Sequence, residues 1–189
     1  MRRTLVVMLK EPRAGRVKTR LGRDIGMVPA ASWFRHQVRR LLRRIEDPRW
    51  DLVLAVAPDI AQHSAIWPAH LPRMPQGHGD LGARMARALR APHAGPICVI
   101  GADIPDINSA HIAAAFKALG RHDAVFGPAH DGGYWLIGLR RVRAVPPTLF
   151  AGVRWSTANA LADTEATLRG HSIARVVTLR DVDTAADLK

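Results

Sequence analysis

The sequence predicts an α/β fold, a mostly parallel sheet covered by helices on both faces. Apolar runs of strand length recur along the 189 residues, several of them near-continuous, as strands buried on both faces require. Between the early runs lie segments with apolar residues at helical spacing. A third observation bears on function. Most residues with useful chemistry follow strands, and ligands bind beyond the carboxyl ends of strands in open sheets of this kind.

The first strand is TLVVML, 4–9, and it runs into LKEPRAGRVKTRLG, 9–22, with Lys10, Arg13, Arg16, Lys18 and Arg20. Like charges so close together repel unless each is solvated or an anion binds them. Gly15 permits close backbone approach, while Arg13, Arg16, Lys18 and Arg20 offer donors to phosphate oxygens. Thr19 adds a hydroxyl, or caps a short helix. Lys18 and Arg20 are also candidates for neutralising charge during a reaction. The loop is not a Walker loop, because Val17 stands where glycine must precede the lysine. The alternative is an ordinary solvated surface loop.

PAASWFRHQVRRLLRRIE, 29–46, predicts a helix with Phe34, Val38, Leu41, Leu42 and Ile45 on one face and arginine on the other. The strand DLVLAVA, 51–57, follows. GHGDLG, 77–82, matches G-x-G-x-x-G, with Asp103 downstream. The preceding LPRMPQ, however, carries two prolines and an arginine, poor material for an interior strand. The segment therefore reads as a glycine turn before a helix that starts near Asp80 and covers 79–91. Gln76, Gly77, Gly79 and Asp80 could still contact a base or ribose.

GPICVIG, 95–101, is the next strand, with Cys98 as a small buried hydrophobe. Beyond it VIGADIPDI, 99–107, places Asp103 and Asp106. A carboxylate at a strand end beside a phosphate loop suits Mg²⁺ or Mn²⁺, which bind through one or two carboxylates plus substrate phosphates. Asp106 could instead cap the helix NSAHIAAAFKALG, 108–120, whose start is marked by Asn108 or Ser109.

DAVFG, 123–127, and YWLIGL, 134–139, predict a strand, a glycine turn and a return strand. Asp131 in that turn could contact a sugar hydroxyl or act as a base, or simply bond its own backbone. Tyr134 and Trp135 alternate in direction, so one faces the core. Trp155 precedes a helix start at Ser156 or Thr157. After the strand SIARVVTL, 172–179, RDVDTAADL closes the chain, with Thr184 as N-cap and Asp187 as its reciprocal partner. Asp181 and Asp183 remain free to face the site. His130, beside Asp131, reads as a polar loop residue.

The length fits one domain, 1–189, with 48% apolar residues to fill its core. A single cysteine excludes an internal disulfide and suits a reducing compartment, so the expected location is the cytoplasm. No run is long enough for a membrane span. The net charge is +12, and residues 1–49 hold 14 Lys/Arg against 4 Asp/Glu. That excess could attract nucleic acid. But 24 of the 28 cations are arginine, as a GC-rich genome produces, and one Tyr with four Phe makes a poor stacking surface. A nucleic-acid-binding module is therefore ranked behind a small-molecule site. An exposed Trp33 or Trp67 could serve a homodimer contact.

Taken in order, LKEPRAGRVKTRLG, PQGHGDLGARM, IGADIPDI, GPAHDGGYWLIGL, LFAGVRWST and DVDTAADL resemble the blocks of a family of bacterial glycosyltransferase-like proteins. Some members carry an arsenosugar-biosynthesis-glycosyltransferase label, and the family lies in the nucleotide-diphospho-sugar transferase (GT-A) superfamily. The resemblance implies a Rossmann-like α/β/α sandwich and a divalent metal, Mg²⁺ or Mn²⁺, held by Asp103 and Asp183. It implies a nucleotide or nucleotide-sugar donor and an acceptor of unknown identity. The loop with Lys18 and Arg20 also resembles the phosphate signature of nucleotidyltransferases of the guanylyltransferase type, which release pyrophosphate. Asp-Ile-Pro-Asp at 103–106 departs from the Asp-x-Asp of the glycosyltransferases.

Overall fold

The computed structural model of the chain describes residues 2–90, 94–142 and 144–188. Its sheet comprises β1 (Thr4–Lys10), β2 (Asp51–Ala57), β3 (Arg73–Pro75), β4 (Ile97–Gly101), β5 (Ala124–Pro128), β6 (Tyr134–Leu139) and β7 (Ile173–Arg175). Their order is β3-β2-β1-β4-β6-β5-β7. Every neighbouring pair is parallel except those of β6, which runs antiparallel to β4 and β5. The glycine-turn hairpin expected at 127–138 is the source of that one reversed strand.

β1 illustrates why both faces are covered. Leu5, Val7 and Leu9 enter one core and Val6 the other, none more than 1% exposed. The first core is closed by α2 (Met27–Ile45) and α4 (Ser109–Ala118). The second is closed by α3 (Leu81–Leu89) and α5 (Ala160–Ala166). The short α1 (Thr19–Ile25) sits between the basic loop and α2. The architecture is thus a Rossmann-like α/β/α sandwich, as the resemblance implies.

α2 buries the five apolar side chains expected of it. Each is worth roughly 1.5–3 kcal/mol on leaving water. Like-charge pairs one turn apart, such as Arg35 with Arg39, cost only about 0.2–0.5 kcal/mol each. Burial therefore wins, and the arginines stay exposed on the outer face. Arg44 reaches back to donate to the Pro105 carbonyl, which pins the loop after β4. Asn108 caps α4 by accepting from the amides of Ala110 and His111 at 3.0 and 3.1 Å. Asp106 is not that cap.

Several boundaries differ from expectation. LPRMPQ does contain a strand, the three-residue β3. It pairs only with β2 at the sheet edge, where the missing N–H of Pro75 faces no partner strand. The last strand stops at Arg175, although Leu179 still bridges to Ala129. α5 begins at Ala160 rather than 156 or 157: Ser156 adopts a left-handed φ of 60° and residues 157–159 continue as bend and turn. α3 ends at Leu89, and position 91, inside the expected helix, lies outside the described residues. Trp67 is not a surface group for a homodimer: it is buried, its indole donating to the Ala61 carbonyl at 2.8 Å. Trp33 packs partly buried against the same core.

Candidate functional site

A cleft of about 570 Å³ opens at the carboxyl ends of β1 and β4. It is bordered by the basic loop, the loop after β4, the β5–β6 turn and the segment after β7. Lys18, Thr19, Gln76, Asp103 and Asp131 all line it. So do Arg16 and Asp181.

The basic loop turns into α1 through Lys18, whose φ of 46° and ψ of 46° are left-handed. Few non-glycine residues adopt this conformation, and those that do need surrounding structure to hold them. Here the hold is visible. The Lys18 side chain is 5% exposed, and its ammonium donates to the Val182 carbonyl at 2.8 Å. The same nitrogen lies 3.3 Å from Asp103 Oδ2 and 3.6 Å from Asp183 Oδ1. Residues 18, 103 and 183 therefore meet at one point.

The segment carrying Asp183 is fixed from several sides. Val182 donates to the Asp103 carbonyl at 3.4 Å, and Asp24 accepts from the Ala185 amide at 2.9 Å. Thr184 and Asp187 form the expected reciprocal cap on a short 3₁₀ turn. Those bonds, led by the backbone amide of Thr184, hold the Asp187 carboxyl below the usual range. Asp183 itself pairs with Arg20 at 2.8 Å. Asp181 behaves oppositely. Burial first, then the charges of Asp183 and Asp131, push its carboxyl above the ordinary value.

Asp131 Oδ1 accepts from the Gly133 amide at 2.9 Å, an Asx turn, while the residue stays exposed in the cleft. The turn is locked by Gly132, which has φ 85°, and a Cβ there would lie 2.3 Å from the Ala158 carbonyl oxygen. Opposite the charged end, Met8, Val99, Met85, Tyr134 and Trp155 give the cleft an apolar wall. Burial pushes the Tyr134 hydroxyl above the ordinary phenol range, so it stays protonated. Trp135 faces the other core and donates its indole N–H to the Val177 carbonyl at 3.0 Å.

Other expected contacts sit elsewhere. Arg13 pairs with Glu11 outside the cleft lining, and Gly15, at φ 73°, serves the loop's turn. Gln76 lines the cleft, but its amide donates to the Leu9 and Ala55 carbonyls, each at 2.9 Å. The amide of Gly77 donates to Asp59 at 2.9 Å, and Arg87 donates to the Gln76 and His78 carbonyls. Gly79 adopts φ 104°, and Asp80 caps α3 by accepting from Ala83 at 2.8 Å. Gly77, Gly79 and Asp80 do not line the cleft. Glycine spacing in GHGDLG thus builds a turn and a helix start rather than a cradle.

Two hard oxygen donors, on separately anchored segments and both partly exposed, fit a divalent ion completed by phosphate oxygens and water. Among the described residues, no group of three or more His, Cys, Asp or Glu could hold a metal ion by itself. Asp103 and Asp183 would be a partial site that a ligand finishes.

A family model described as an uncharacterized protein conserved in bacteria, DUF2064, matches residues 41–157. The chain belongs to the DUF2064 family. That match carries Asp103 and Asp131 and stops short of the basic loop and of Asp183. A candidate nucleotide-diphospho-sugar transferase from Desulfovibrio desulfuricans G20 is 32% identical over 100% of this DUF2064 chain and 85% of its own, with a TM-score of 0.90. Weaker likenesses reinforce the fold. Rv0371c of Mycobacterium tuberculosis H37Rv, solved as a complex with manganese, is 17% identical over 99% of this chain and 96% of its own, at a TM-score of 0.58. The 4-diphosphocytidyl-2C-methyl-D-erythritol synthase of Anaerococcus prevotii DSM 20548 is 11% identical over 98% and 94%, at 0.59. No curated protein matches the chain. Among the described residues, no helix is long and apolar enough to cross a membrane.

Proposed function

We propose that this DUF2064 protein is a metal-dependent transferase acting on a nucleotide-activated donor, foremost a nucleotide-diphosphate sugar. The carrying observation is the meeting of Lys18, Asp103 and Asp183 at one end of the cleft. Cations on a loop and carboxylates on two other segments are what a polyphosphate chain with a divalent counter-ion requires. The 32% identical relative described as a candidate nucleotide-diphospho-sugar transferase supports the same reading.

In this reading Arg16, Lys18 and Arg20 give charge-assisted hydrogen bonds to the diphosphate, with the Thr19 hydroxyl beside them. Mg²⁺ or Mn²⁺, held by Asp103 and Asp183, would supply further neutralisation of charge on the departing diphosphate. Asp131 stands on the acceptor side and takes the proton of the attacking hydroxyl. The acceptor oxygen bonds the anomeric carbon as the bond from that carbon to the diphosphate oxygen breaks. Catalysis is then chiefly positioning and electrostatics. Residues 1–189 act as one domain, in the cytoplasm, on a soluble donor.

The number of cations in the basic loop, with Arg16 and Lys18 both in the cleft lining, favours a second reading. A nucleoside triphosphate would be attacked at its α-phosphorus, releasing pyrophosphate.

A thermal-shift screen of nucleotides and nucleotide sugars, with and without Mn²⁺, separates these. A ligand at about 100 times its Kd stabilises the native state by about 2.7 kcal/mol. For a chain of this length that is a rise of roughly 5–10 °C. A Mn²⁺-dependent rise with nucleotide-diphosphate sugars supports glycosyl transfer, and a rise confined to triphosphates supports nucleotidyl transfer. No rise with any nucleotide overturns both.

A further inference from the structure

The carboxylate pair read above as a metal site already has a cation of its own. Lys18 Nζ stands 3.3 and 3.6 Å from the nearest oxygens of Asp103 and Asp183. An ion ligated by both carboxylates, at about 2.1 Å for Mg²⁺, would claim this same space. Two cations cannot share it. We propose that Lys18 is a built-in counter-ion that closes the Asp103–Asp183 pair to free divalent metal and yields it only when a polyphosphate draws the ammonium away. This rests on the metal reading of the same site.

Three features support a gate rather than a strut. Asp103 and Asp183 each already have a cationic partner, since Lys18 contacts both and Arg20 pairs with Asp183, although Asp181 and Asp131 add negative charge nearby. A bare divalent ion would therefore meet, at this pair, carboxylates that already have cationic partners and an ammonium repelling it. Secondly, the ammonium is sheltered while both carboxylates remain partly open, at 54% and 39% side-chain exposure. The lysine is thus held from behind, by the Val182 carbonyl, and presented to acceptors in the cleft. Thirdly, Lys18 lines the same cleft as Arg16 and Thr19, so a phosphate lying between those residues is within the reach of a flexible four-carbon stem. Negative charge arriving there supplies the ammonium with new acceptors and frees the carboxylate oxygens together. Metal and nucleotide would then bind with positive coupling, and by linkage each raises the affinity of the other by the same factor.

The test is Mn²⁺ binding without nucleotide, followed by electron paramagnetic resonance of the free ion. Wild type is compared with Lys18→Met, Lys18→Gln and Lys18→Met combined with Asp103→Asn. Lys18→Met keeps the buried stem, and Lys18→Gln keeps a donor for the Val182 carbonyl should the first variant fail to fold. The expected result is Mn²⁺ affinity at least tenfold higher in either single variant than in wild type. The added Asp103→Asn should abolish that gain. A strut would not sharpen metal binding when removed. Equal Mn²⁺ affinity in wild type and both single variants overturns the gate while leaving the metal reading standing. If neither variant binds Mn²⁺ with or without nucleotide, the metal site and the gate fall together.

Discussion

Arg20 Nη1 lies 2.8 Å from Asp183 Oδ2, joining the first turn of α1 to the segment after β7 just outside the cleft lining. The Arg20 side chain is 68% exposed, and exposed pairs of this kind contribute about 0.2–1 kcal/mol. Arg20→Ala should therefore shift the melting temperature by only a few degrees. Its effect on phosphate binding is expected to be larger. Loss of a charge-assisted hydrogen bond, worth about 1.5–3 kcal/mol, corresponds to a nucleotide Kd raised by roughly tenfold or more. Paired melting and titration measurements check this, and an unchanged Kd would place Arg20 outside the binding machinery.

Asp103→Asn is predicted to abolish Mn²⁺-dependent nucleotide binding while leaving the fold intact. The side chain is half exposed, so the amide faces no burial penalty. Its shape is conserved, and only the negative charge and one hard ligand are lost. Isothermal titration with and without Mn²⁺ is the measurement. Undiminished affinity in excess Mn²⁺ would remove the metal role from Asp103.

How much of this was legible depended on which contacts were made by side chains. Asp103 and Asp183 could be placed together from strand ends alone, because a parallel sheet gathers its carboxyl-end loops along one edge. Asn108, Thr184 and Asp187 were readable because capping is local in sequence. The Lys18 contact to the Val182 carbonyl was not, since a backbone acceptor 164 positions away leaves no mark in residue type. Asp80 looked available for ribose, yet its carboxylate is engaged by the helix it begins. β3 was hidden by prolines, which an edge strand tolerates and an interior one does not. The apolar wall of Met8, Met85 and Trp155 had no signal, because core and cleft residues are alike in type.

Gln76 shows how a polar residue in a cleft can be structural. It is 5% exposed, and its amide nitrogen serves the Leu9 and Ala55 carbonyls, clasping the ends of β1 and β2. Replacing it by leucine keeps the approximate volume but removes both donors. Both carbonyls also accept in the β1–β2 ladder, so only the net worth of each extra bond, about 0.5–1.5 kcal/mol, is lost, and Gln76→Leu should destabilise the fold by about 1–3 kcal/mol. Denaturant unfolding measures that loss. A variant of native stability with weakened nucleotide affinity would instead return Gln76 to ligand recognition.

The wall of the cleft has its own pH dependence. Arg154 donates through Nε and Nη2 to the two oxygens of Asp163, both at 2.8 Å, and through its amide to the same carboxylate. These bonds hold the segment that presents Trp155, Ser156 and Thr157 to the cleft, and hydrogen bonding from the guanidinium lowers the Asp163 carboxyl to about 2. An unfolded aspartate titrates near 3.9, so the folded state favours the ionised form more strongly than the unfolded state does. The resulting stability is fully present above the unfolded value and is lost as pH falls from about 4 towards 2. Asp163→Asn should accordingly lower the melting temperature at pH 7, and its difference from wild type should shrink across that acid window. Because the Arg154 side chain is exposed while Asp163 is partly sheltered, the gap at pH 7 should also narrow, in part, in high salt. A difference independent of both pH and salt would show that Asp163 supports the cleft wall through shape rather than charge.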